Sequence, residues 1–494
     1  MELYDIAVIG GGINGAGIAR DAAGSGLKVL LAEQNDFASA TSSASTKLIH
    51  GGLRYLEYYE LRLVSESLAE REVMLHLAPH IIWPLEFVLP HEKHLRPAWM
   101  VRAGLFLYDH IGGRSSLPGS RGVRLAPEGH GAGLKPAFKR GFAYYDAWVD
   151  DARLVVLTLS SARAHGASVL ARTRCTGAKR DGDTWRVALR DQATGSENEV
   201  RARILVNAAG PWVKNLLERE LNIESTGQVR LVKGSHIVVP RIHDKRHAYI
   251  LQNPDRRVVF MIPYEREFTL IGTTDVHVTQ NELPPAISDD EIAYLCAAAS
   301  RYSAREITAD QVVWSYSGVR PLYDDGKEDP SAITRDYVLQ LDEQGPPLLS
   351  VFGGKITTYR KLAEQVMAKL VRWIPARRPW THTEALPGGD FDGRDFESVL
   401  GEYRARYSAL DPHWLARLLR RHGTLGETIL AGAKTESDLG ENFGGGLYER
   451  ELAYLIGQEW ARAAEDVLWR RTKCGLHMDE AQRRRVAERM ADGQ

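Results

Sequence analysis

Residues 4–17 read YDIAVIGGGINGAG, and this stretch decides the fold. A short β-rich run leads into glycines at positions 10, 12 and 15, which have the spacing G-x-G-x-x-G, and the pattern then predicts a helix over residues 13–24. In such a turn the first glycine permits the tight bend, the second lets a pyrophosphate approach the backbone, and the third lets the helix pack on the strand. The helix N-terminus also attracts the anion. Together with a following strand, the motif predicts a dinucleotide-binding unit; standing alone, it would equally be an ordinary strand-to-helix turn.

Two further segments support this interpretation and select the cofactor. The second predicted strand, residues 28–33, ends in Glu33, 18 residues beyond Gly15, where an acid accepts hydrogen bonds from a ribose. Residues 203–212, RILVNAAGPW, form an apolar strand that ends in small residues. In flavoproteins with two dinucleotide-binding domains, such a strand returns to the sheet after an insertion, whereas a simple NAD domain does not need it. The sequence therefore favours FAD over NAD.

Composition limits the class of protein. A chain of 494 residues predicts two or three domains. With 63 basic and 64 acidic residues the net charge is -1, so no nucleic-acid partner is expected, and any anion site must be a local basic cluster. The three cysteines are far apart and form no CxxC pair, which favours a reducing compartment and predicts no metal site. The N-terminus predicts a strand and not a secretory signal, and no apolar run reaches the roughly 18 to 20 residues that span a bilayer.

Several motifs resemble those of one enzyme family. Residues 9–21, IGGGINGAGIARD, are similar to the first signature of FAD-dependent glycerol-3-phosphate dehydrogenases, and residues 353–363, GGKITTYRKLA, to the second. Further similar segments are TKLIHGGLRYL at 46–56, SGVRPL at 317–322 and WRRTKCG at 469–475. The resemblance extends from about residue 3 to about residue 480. Ser25 stands where the family often has Arg, and the chain lacks the calcium-binding extension of mitochondrial relatives, which favours the bacterial, aerobic type.

The resemblance implies a fold and a division of the chain. The expected fold is an α/β FAD-binding Rossmann-like domain (glutathione-reductase-type, DAO-like) with a mixed-sheet substrate domain and an α-helical C-terminal domain. We expect a discontinuous FAD domain at 1–80, 140–220 and 318–380, and a substrate domain at 81–139 and 221–317. Residues 375–390 are a predicted linker. Residues 391–494 are a predicted helical domain, and contact within a homodimer is one hypothesis for its role.

The reaction implied by the family is oxidation of a secondary alcohol. Glycerol 3-phosphate would lose its C2 hydrogen as hydride to flavin N5, giving dihydroxyacetone phosphate, and the electrons would pass to ubiquinone or menaquinone. The sequence leaves two other hypotheses about the function open. One is an amine or amino-acid oxidase of the same FAD fold, in which Arg binds a carboxylate. The other is a non-catalytic FAD- or NAD-binding regulatory protein.

Phosphate binding points to arginine, whose planar guanidinium makes bidentate contacts with phosphate. The predicted substrate-binding residues are Arg54, Tyr55, Arg320, Arg335, Lys355 and Thr358. For any one arginine the alternative is a solvated surface side chain.

A second set of candidate residues would stabilise the reduced flavin and transfer the proton. Gly353 and Gly354 precede a helix predicted over 356–373, whose N-terminus would favour negative charge on the reduced flavin, and Lys355 adds a full charge. His50 and His236 are candidate bases because a neutral imidazole accepts a proton near pH 7. The sequence leaves the choice between them open, with Lys355 and Arg320 as further catalytic candidates.

The remaining cofactor contacts follow from the turn, the acid and the family motifs. A Ser-rich loop at 42–47 would meet the pyrophosphate and ring; the alternative is a polar surface loop. The full predicted FAD-binding set is Gly10, Gly12, Ile13, Asn14, Gly15, Glu33, Thr41, Ser42, Ser43, Ser45, Lys47, Leu48, His50, Gly51, Ala209, Gly210, Gly353, Gly354, Lys355, Ile356 and Thr357.

Residues 97–111, PAWMVRAGLFLYDHI, are apolar and aromatic, with basic residues in or around them at Lys93, Arg96, Arg102 and Arg114. The stretch is too short to span a bilayer but suits an interfacial helix with its basic groups toward lipid phosphates. A core helix of the substrate domain is the alternative. We expect a cytoplasmic protein in peripheral contact with the inner face of the cell membrane.

Overall fold

The computed structural model describes residues 1–92, 96–225, 227–255, 257–324, 336–375 and 378–492, without the side chain of Arg54. Three residues named above are affected. Lys93, Arg335 and the side chain of Arg54 lie outside the described part of the chain.

The described strands are, in chain order, β1 (Leu3–Ile9), β2 (Val29–Ala32), β3 (Leu48–Ile49), β4 (Ile82–Pro90), β5 (Arg121–Arg124), β6 (Arg140–Val149), β7 (Ser168–Leu170), β8 (Thr173–Asp181), β9 (Thr184–Asp191), β10 (Glu197–Asn207), β11 (Val229–Pro240), β12 (Ala248–Gln252), β13 (Val258–Tyr264), β14 (Phe268–Gly272), β15 (Val276–Val278), β16 (Trp314–Tyr323), β17 (Val338–Asp342), β18 (Leu348–Phe352), β19 (Asn442–Gly444) and β20 (Leu447–Tyr448).

The described α-helices are α1 (Ile13–Gly24), α2 (Leu61–Leu77), α3 (Ala98–Ile111), α4 (Asp151–Ala164), α5 (Val213–Asn215), α6 (Asp289–Ser300), α7 (Tyr359–Lys369), α8 (Phe396–Arg406), α9 (Pro412–His422), α10 (Gly426–Leu430), α11 (Glu449–Gln458) and α12 (Glu480–Ala491). Short 3₁₀ turns at Thr41–Ser43, Leu53–Tyr58 and Ile356–Thr358 border the cavity described below.

The first sheet carries the dinucleotide-binding unit. Its parallel part has the order β18-β10-β1-β2-β7, with β17 antiparallel at one edge and the β8–β9 pair extending β10. Helices α1, α4 and α7 pack on one face, and β8, β9 and residues 213–221 cover the other. Because both faces are covered, β1 is apolar nearly throughout. The predicted helix over 13–24 and the returning strand near 203–207 are both confirmed.

The second sheet builds the remaining part of the cavity. Within the described residues its main path runs β15-β11-β14-β13-β12-β4-β6-β3, with β16 beside β11 and β5 beside β6. Our division places residues 140–149 and 318–323 with the FAD segments, whereas β6 pairs with β4 and β16 pairs with β11 in this second sheet. Sheet membership depends on long-range pairing, which the local pattern of a strand does not encode.

The C-terminal part, from α8 to α12, has two apolar clusters of its own. It is docked on the first domain through buried ion pairs, among them Arg153 with Glu459 and Asp36 with Arg471. In the described part of the chain, every helix is too short or too polar to cross a bilayer.

Candidate active site

A cavity of about 490 Å³ opens at the carboxyl ends of β2, β1, β10 and β18, which are neighbours in the first sheet. With roughly 4.8 Å between adjacent strands, these four strand ends span roughly 14 Å. The turn after each strand contributes to the lining: residues 10 and 12–14, 33–35, 208–210 and 353–357. Ligands of open α/β sheets bind at this edge.

The glycine turn has no room for side chains at two positions. Gly10 has φ +118°, and a Cβ there would lie 2.4 Å from the carbonyl oxygen of Ala208. A Cβ on Gly15 would lie 1.9 Å from the carbonyl oxygen of Gly10. The bare backbone and the N-terminus of α1 therefore form an anion cradle, in which Ile13 N donates to Ser42 Oγ at 3.0 Å.

Glu33 lies at the end of β2 on the cavity wall. Its carboxylate accepts hydrogen bonds from Gly11 N at 2.7 Å and Asn35 N at 2.8 Å. Burial raises the pKa of Glu33 above its ordinary value, and these two hydrogen bonds only partly offset that effect. A carboxylate accepts about four hydrogen bonds, so capacity remains for the hydroxyls of a ribose.

The other end of the cavity brings together side chains from distant parts of the chain. His50, Tyr55, His236, Arg320 and Lys355 all line it. Arg320 Nη2 donates to the carbonyl oxygen of its neighbour Thr274 at 3.1 Å and forms an ion pair with Asp275. The ammonium of Lys355 lies 4.2 Å from the centre of the Tyr55 ring. Two cationic groups and two imidazoles therefore share one space.

The imidazole of His236, on β11, is held by two neighbouring side chains. Its ring stacks on Tyr316 with centroids 4.8 Å apart, and Nε2 lies 3.0 Å from Thr46 Oγ1. Burial, assisted by the positive charges of Lys47 and Arg320, lowers the pKa of His236 to about 3. The imidazole is therefore neutral at physiological pH.

Among the predicted residues that the structure describes in full, five do not line the cavity: Gly15, Ser43, Lys47, Gly51 and Thr358. The Lys47 ammonium is buried and forms an ion pair with Asp151 at 2.7 Å while donating to the Ser43 carbonyl. Gly51 N donates to Tyr108 Oη at 2.8 Å, and Thr358 is buried where α7 begins. A buried ammonium is stable only beside a negative charge, and Asp151 supplies that charge for Lys47. The sequence alone does not show that Asp151 lies next to Lys47.

The other predicted FAD-binding residues line the cavity: Gly10, Gly12, Ile13, Asn14, Glu33, Thr41, Ser42, Ser45, Leu48, His50, Ala209, Gly210, Gly353, Gly354, Lys355, Ile356 and Thr357. Sequence reasoning missed several other lining residues, including Thr173, Cys175, Trp212, Phe260 and Thr273. Trp212 directly follows the AAGP segment, which is the sequence signal that could have identified it. The others come from β8, β13 and the end of β14, which carry no local signal of a ligand.

A dinucleotide cradle at the carboxyl edge of a parallel sheet, facing a pocket that takes Lys355 from the first sheet and Arg320 and His236 from the second, is the arrangement of a flavin-dependent oxidoreductase. The chain belongs to the FAD-dependent oxidoreductase family, whose model matches residues 5–360. A second model, the C-terminal domain of alpha-glycerophosphate oxidase, matches residues 379–493. FAD is therefore the cofactor, and the glycine cradle and Glu33 fit it.

Individual relatives show which members of this family the chain resembles. The chain is 53% identical over 491 residues to the aerobic glycerol-3-phosphate dehydrogenase of Escherichia coli K12, covering 99% of this chain and 97% of the relative. It is 50% identical over 494 residues to D-erythritol 1-phosphate dehydrogenase of Brucella abortus, with 99% and 97% covered. The resemblance found in the sequence motifs is thus confirmed.

Solved structures agree with the fold. The glycerol-3-phosphate dehydrogenase of Bacillus halodurans complexed with FAD has a TM-score of 0.76 at 29% identity, covering 99% of this chain and 91% of that one. Glycine oxidase of Geobacillus kaustophilus has a TM-score of 0.58 at 20% identity and covers 78% of this chain. The second likeness concerns the fold alone.

Proposed function

We propose that this protein oxidises the C2 hydroxyl of sn-glycerol 3-phosphate to the ketone of dihydroxyacetone phosphate. The observation that carries the proposal is the pairing of Arg320 and Lys355 with the neutral imidazole of His236 around one cavity. Cations suit a phosphate, and a neutral base suits an alcohol that must lose a proton. The names of the relatives support this choice over an amine or amino-acid oxidase.

The substrate phosphate would be bound by Arg320 and Lys355. Arg320 is positioned for this by Asp275 and by the carbonyl of Thr274, which hold its guanidinium at the cavity wall. A guanidinium and an ammonium both donate charge-assisted hydrogen bonds to phosphate oxygens. Arg54 and Arg335 stay candidates for the same role, as the family motifs imply.

Bound FAD supplies the hydride acceptor at its N5 atom. His236 is our candidate for accepting the hydroxyl proton, because its ring lines the cavity and is neutral, although a pKa of about 3 makes it a weak base. Thr46 Oγ1, 3.0 Å from Nε2, orients the ring. Lys355 and the amino end of the helical segment that begins at Ile356 place positive charge at the same end, where negative charge develops. His50 lines the same cavity and is the competing proton acceptor.

Anaerobic titration of the purified yellow protein tests the reaction. Glycerol 3-phosphate should bleach the flavin absorbance stoichiometrically, whereas glycine and sarcosine should leave it unchanged. Because one relative is named for D-erythritol 1-phosphate, that four-carbon phosphate belongs in the same experiment. Faster bleaching by D-erythritol 1-phosphate, or by either amine, would contradict the proposed substrate.

We further propose that the electrons pass to ubiquinone or menaquinone and that α3 contacts the membrane from the cytoplasmic side. Trp99 is 70% exposed and Phe106 57% exposed, while Leu105 and Tyr108 on the opposite side of α3 are buried. A surface helix of a globular protein normally has polar residues on its exposed side. Exposed aromatic residues beside Arg102 suit a lipid interface. Reoxidation of the bleached protein by a soluble quinone tests the acceptor.

A further inference from the structure

Residues 33–40, here called the cavity loop, form one wall of the FAD cavity. Glu33, Asn35 and Ala38 line the cavity. The loop backbone is tied to the glycine turn, because Ala38 N donates to the Gly11 carbonyl at 3.2 Å. Phe37 packs against the same turn: a Cβ on Gly11 would lie 2.7 Å from its ring. The shape of the loop and that of the phosphate cradle are therefore linked.

The two loop residues that do not line the cavity contact residues 459–473 of the C-terminal part, here called the docking segment. Asp36 is 2% exposed and accepts hydrogen bonds from Arg470 Nε at 2.6 Å and Arg471 Nη2 at 2.7 Å. Phe37 is fully buried and meets the ring of Trp460 edge-on, with centroids 5.2 Å apart. The docking segment thus contacts the cavity loop from behind.

A second connection runs through Asp466 of the docking segment. Asp466 accepts a hydrogen bond from Arg172 Nη2 at 2.8 Å and forms an ion pair with Arg470. Arg172 N in turn donates to the carbonyl of Asn35 at 2.9 Å. Arg172 directly precedes β8, whose first residues also line the cavity. Two neighbouring parts of the cavity wall therefore depend on one segment of the C-terminal domain.

We propose that the docking segment is a working part of the FAD site: it holds the cavity loop in the conformation that binds the ADP half, so that the C-terminal domain controls FAD retention. The charges give the reason. Asp36 would otherwise place an uncompensated carboxylate in the loop that carries Glu33, close to the turn that must receive an anionic pyrophosphate. Arg470 and Arg471 neutralise it, and the buried pair holds only while both domains are docked.

The test compares two buried arginines of the C-terminal part. Arg471→Met removes a partner of Asp36, whereas Arg421→Met removes an arginine whose side-chain hydrogen bonds go to Glu451 and Cys474 and not to the cavity loop or the docking segment. We expect the Kd of FAD for the deflavinated protein to rise about 2- to 150-fold in R471M, the range typical of directly coupled contacts, and to be unchanged in R421M. Equal Kd values in the two variants, at a similar loss of thermal stability, would overturn the proposal.

Hydrogen exchange of the unsubstituted protein gives an independent test if R471M does not fold. Coupling is reciprocal, so FAD binding should slow amide exchange in residues 459–473 and leave α12 unchanged. Unaltered exchange in the docking segment would refute the coupling, and Trp460→Leu provides a milder variant for the FAD titration. None of these measurements involves turnover, so a wrong substrate assignment would leave their outcome unaffected.

Discussion

His236 and His50 both line the cavity, and their substitution should separate their roles. His236→Gln keeps a polar group of similar length but removes the proton acceptor, so we expect kcat for glycerol 3-phosphate to fall about 10²- to 10⁴-fold with FAD retained. Stopped-flow flavin reduction measures this directly. His50→Gln is the matched variant, and a larger loss there would transfer the role to His50.

The pH profile adds a second criterion for His236. A folded-state pKa lowered to about 3 keeps the imidazole neutral from about pH 4 upward, so titration of His236 should cause no loss of kcat/KM between pH 8 and pH 5. The flavin reduction rate at saturating substrate is the cleaner measurement, because the substrate phosphate itself titrates in this range. A loss of rate in the unsubstituted protein that is centred near pH 6.5 and disappears in H236Q would contradict the lowered pKa.

Arg320 should act on substrate binding more than on the flavin. Arg320→Met removes a charged hydrogen-bond donor to the phosphate, which corresponds to about a 10- to 150-fold rise in KM. Arg230→Met is the matched control, because Arg230 lies on β11 beside β16, forms a similar pair with Asp324 and does not line the cavity. Steady-state kinetics with the FAD content measured in parallel would show the difference, and equal KM values would remove the assignment.

For single residues, the sequence predicts positions that local backbone sterics fix. It does not predict the position of a side chain that depends on a partner distant in sequence. Gly10 and Gly15 follow from the turn alone, since steric limits on the backbone are local. The partner of Arg320, Asp275, is 45 residues away in sequence, and Lys47 finds Asp151 104 residues away. No local sequence pattern indicates such pairs. The sequence therefore predicts that Lys47 binds FAD, whereas in the structure its side chain does not line the cavity.

Among the elements, α3 carries the prediction about the membrane. Phe106→Glu places a charge on the exposed apolar side of α3, which should abolish flotation with liposomes that contain anionic lipid, while FAD content stays constant. Ile456→Glu is the control, because Ile456 is 43% exposed on α11 in the C-terminal part. Binding of F106E at the level of the unsubstituted protein would exclude α3 as the contact surface.

Element type was predictable where the periodicity was strong, and element ends and partners were not. The helix that the glycine turn predicts over residues 13–24 has the same bounds in the structure. The helix expected over 356–373 begins with a 3₁₀ turn and ends at Lys369, several residues before Pro375, which limits any continuation. Residues 140–149, which our division assigns to the FAD domain, form β6 and pair with β4 in the second sheet.

The molecule as a whole contains buried carboxylates whose pKa values are shifted in opposite directions. Burial would raise the pKa of Glu451, but Arg421 and His422 outweigh it and lower the pKa to about 2. In α1, burial and the charge of Glu364 raise the pKa of Asp21 to about 6, against the smaller opposing effects of Arg20 and Arg360. Glu451 therefore contributes stability above its unfolded pKa of 4.5 and loses it as the pH falls toward 2. Asp21 destabilises the folded state above pH 6 and does so less as the pH falls toward 3.8.

Two isosteric substitutions should consequently change stability with opposite pH dependence. Glu451→Gln leaves Arg421 without its carboxylate and should cost about 3 to 5 kcal/mol at pH 7. This deficit shrinks below about pH 4.5, where Glu451 becomes protonated in the unfolded chain while it stays charged in the folded protein. Asp21→Asn should stabilise the protein at pH 7.5 by roughly 3 kcal/mol at most, at 1.36 kcal/mol per pKa unit, with the gain disappearing near pH 4. The measurement is the difference in apparent Tm from the unsubstituted protein between pH 4 and pH 8, with FAD saturating throughout. If D21N gains nothing at pH 7.5, the Asp21 carboxylate is not held in an unfavourable charged state, and α1 carries no such cost within the folded molecule.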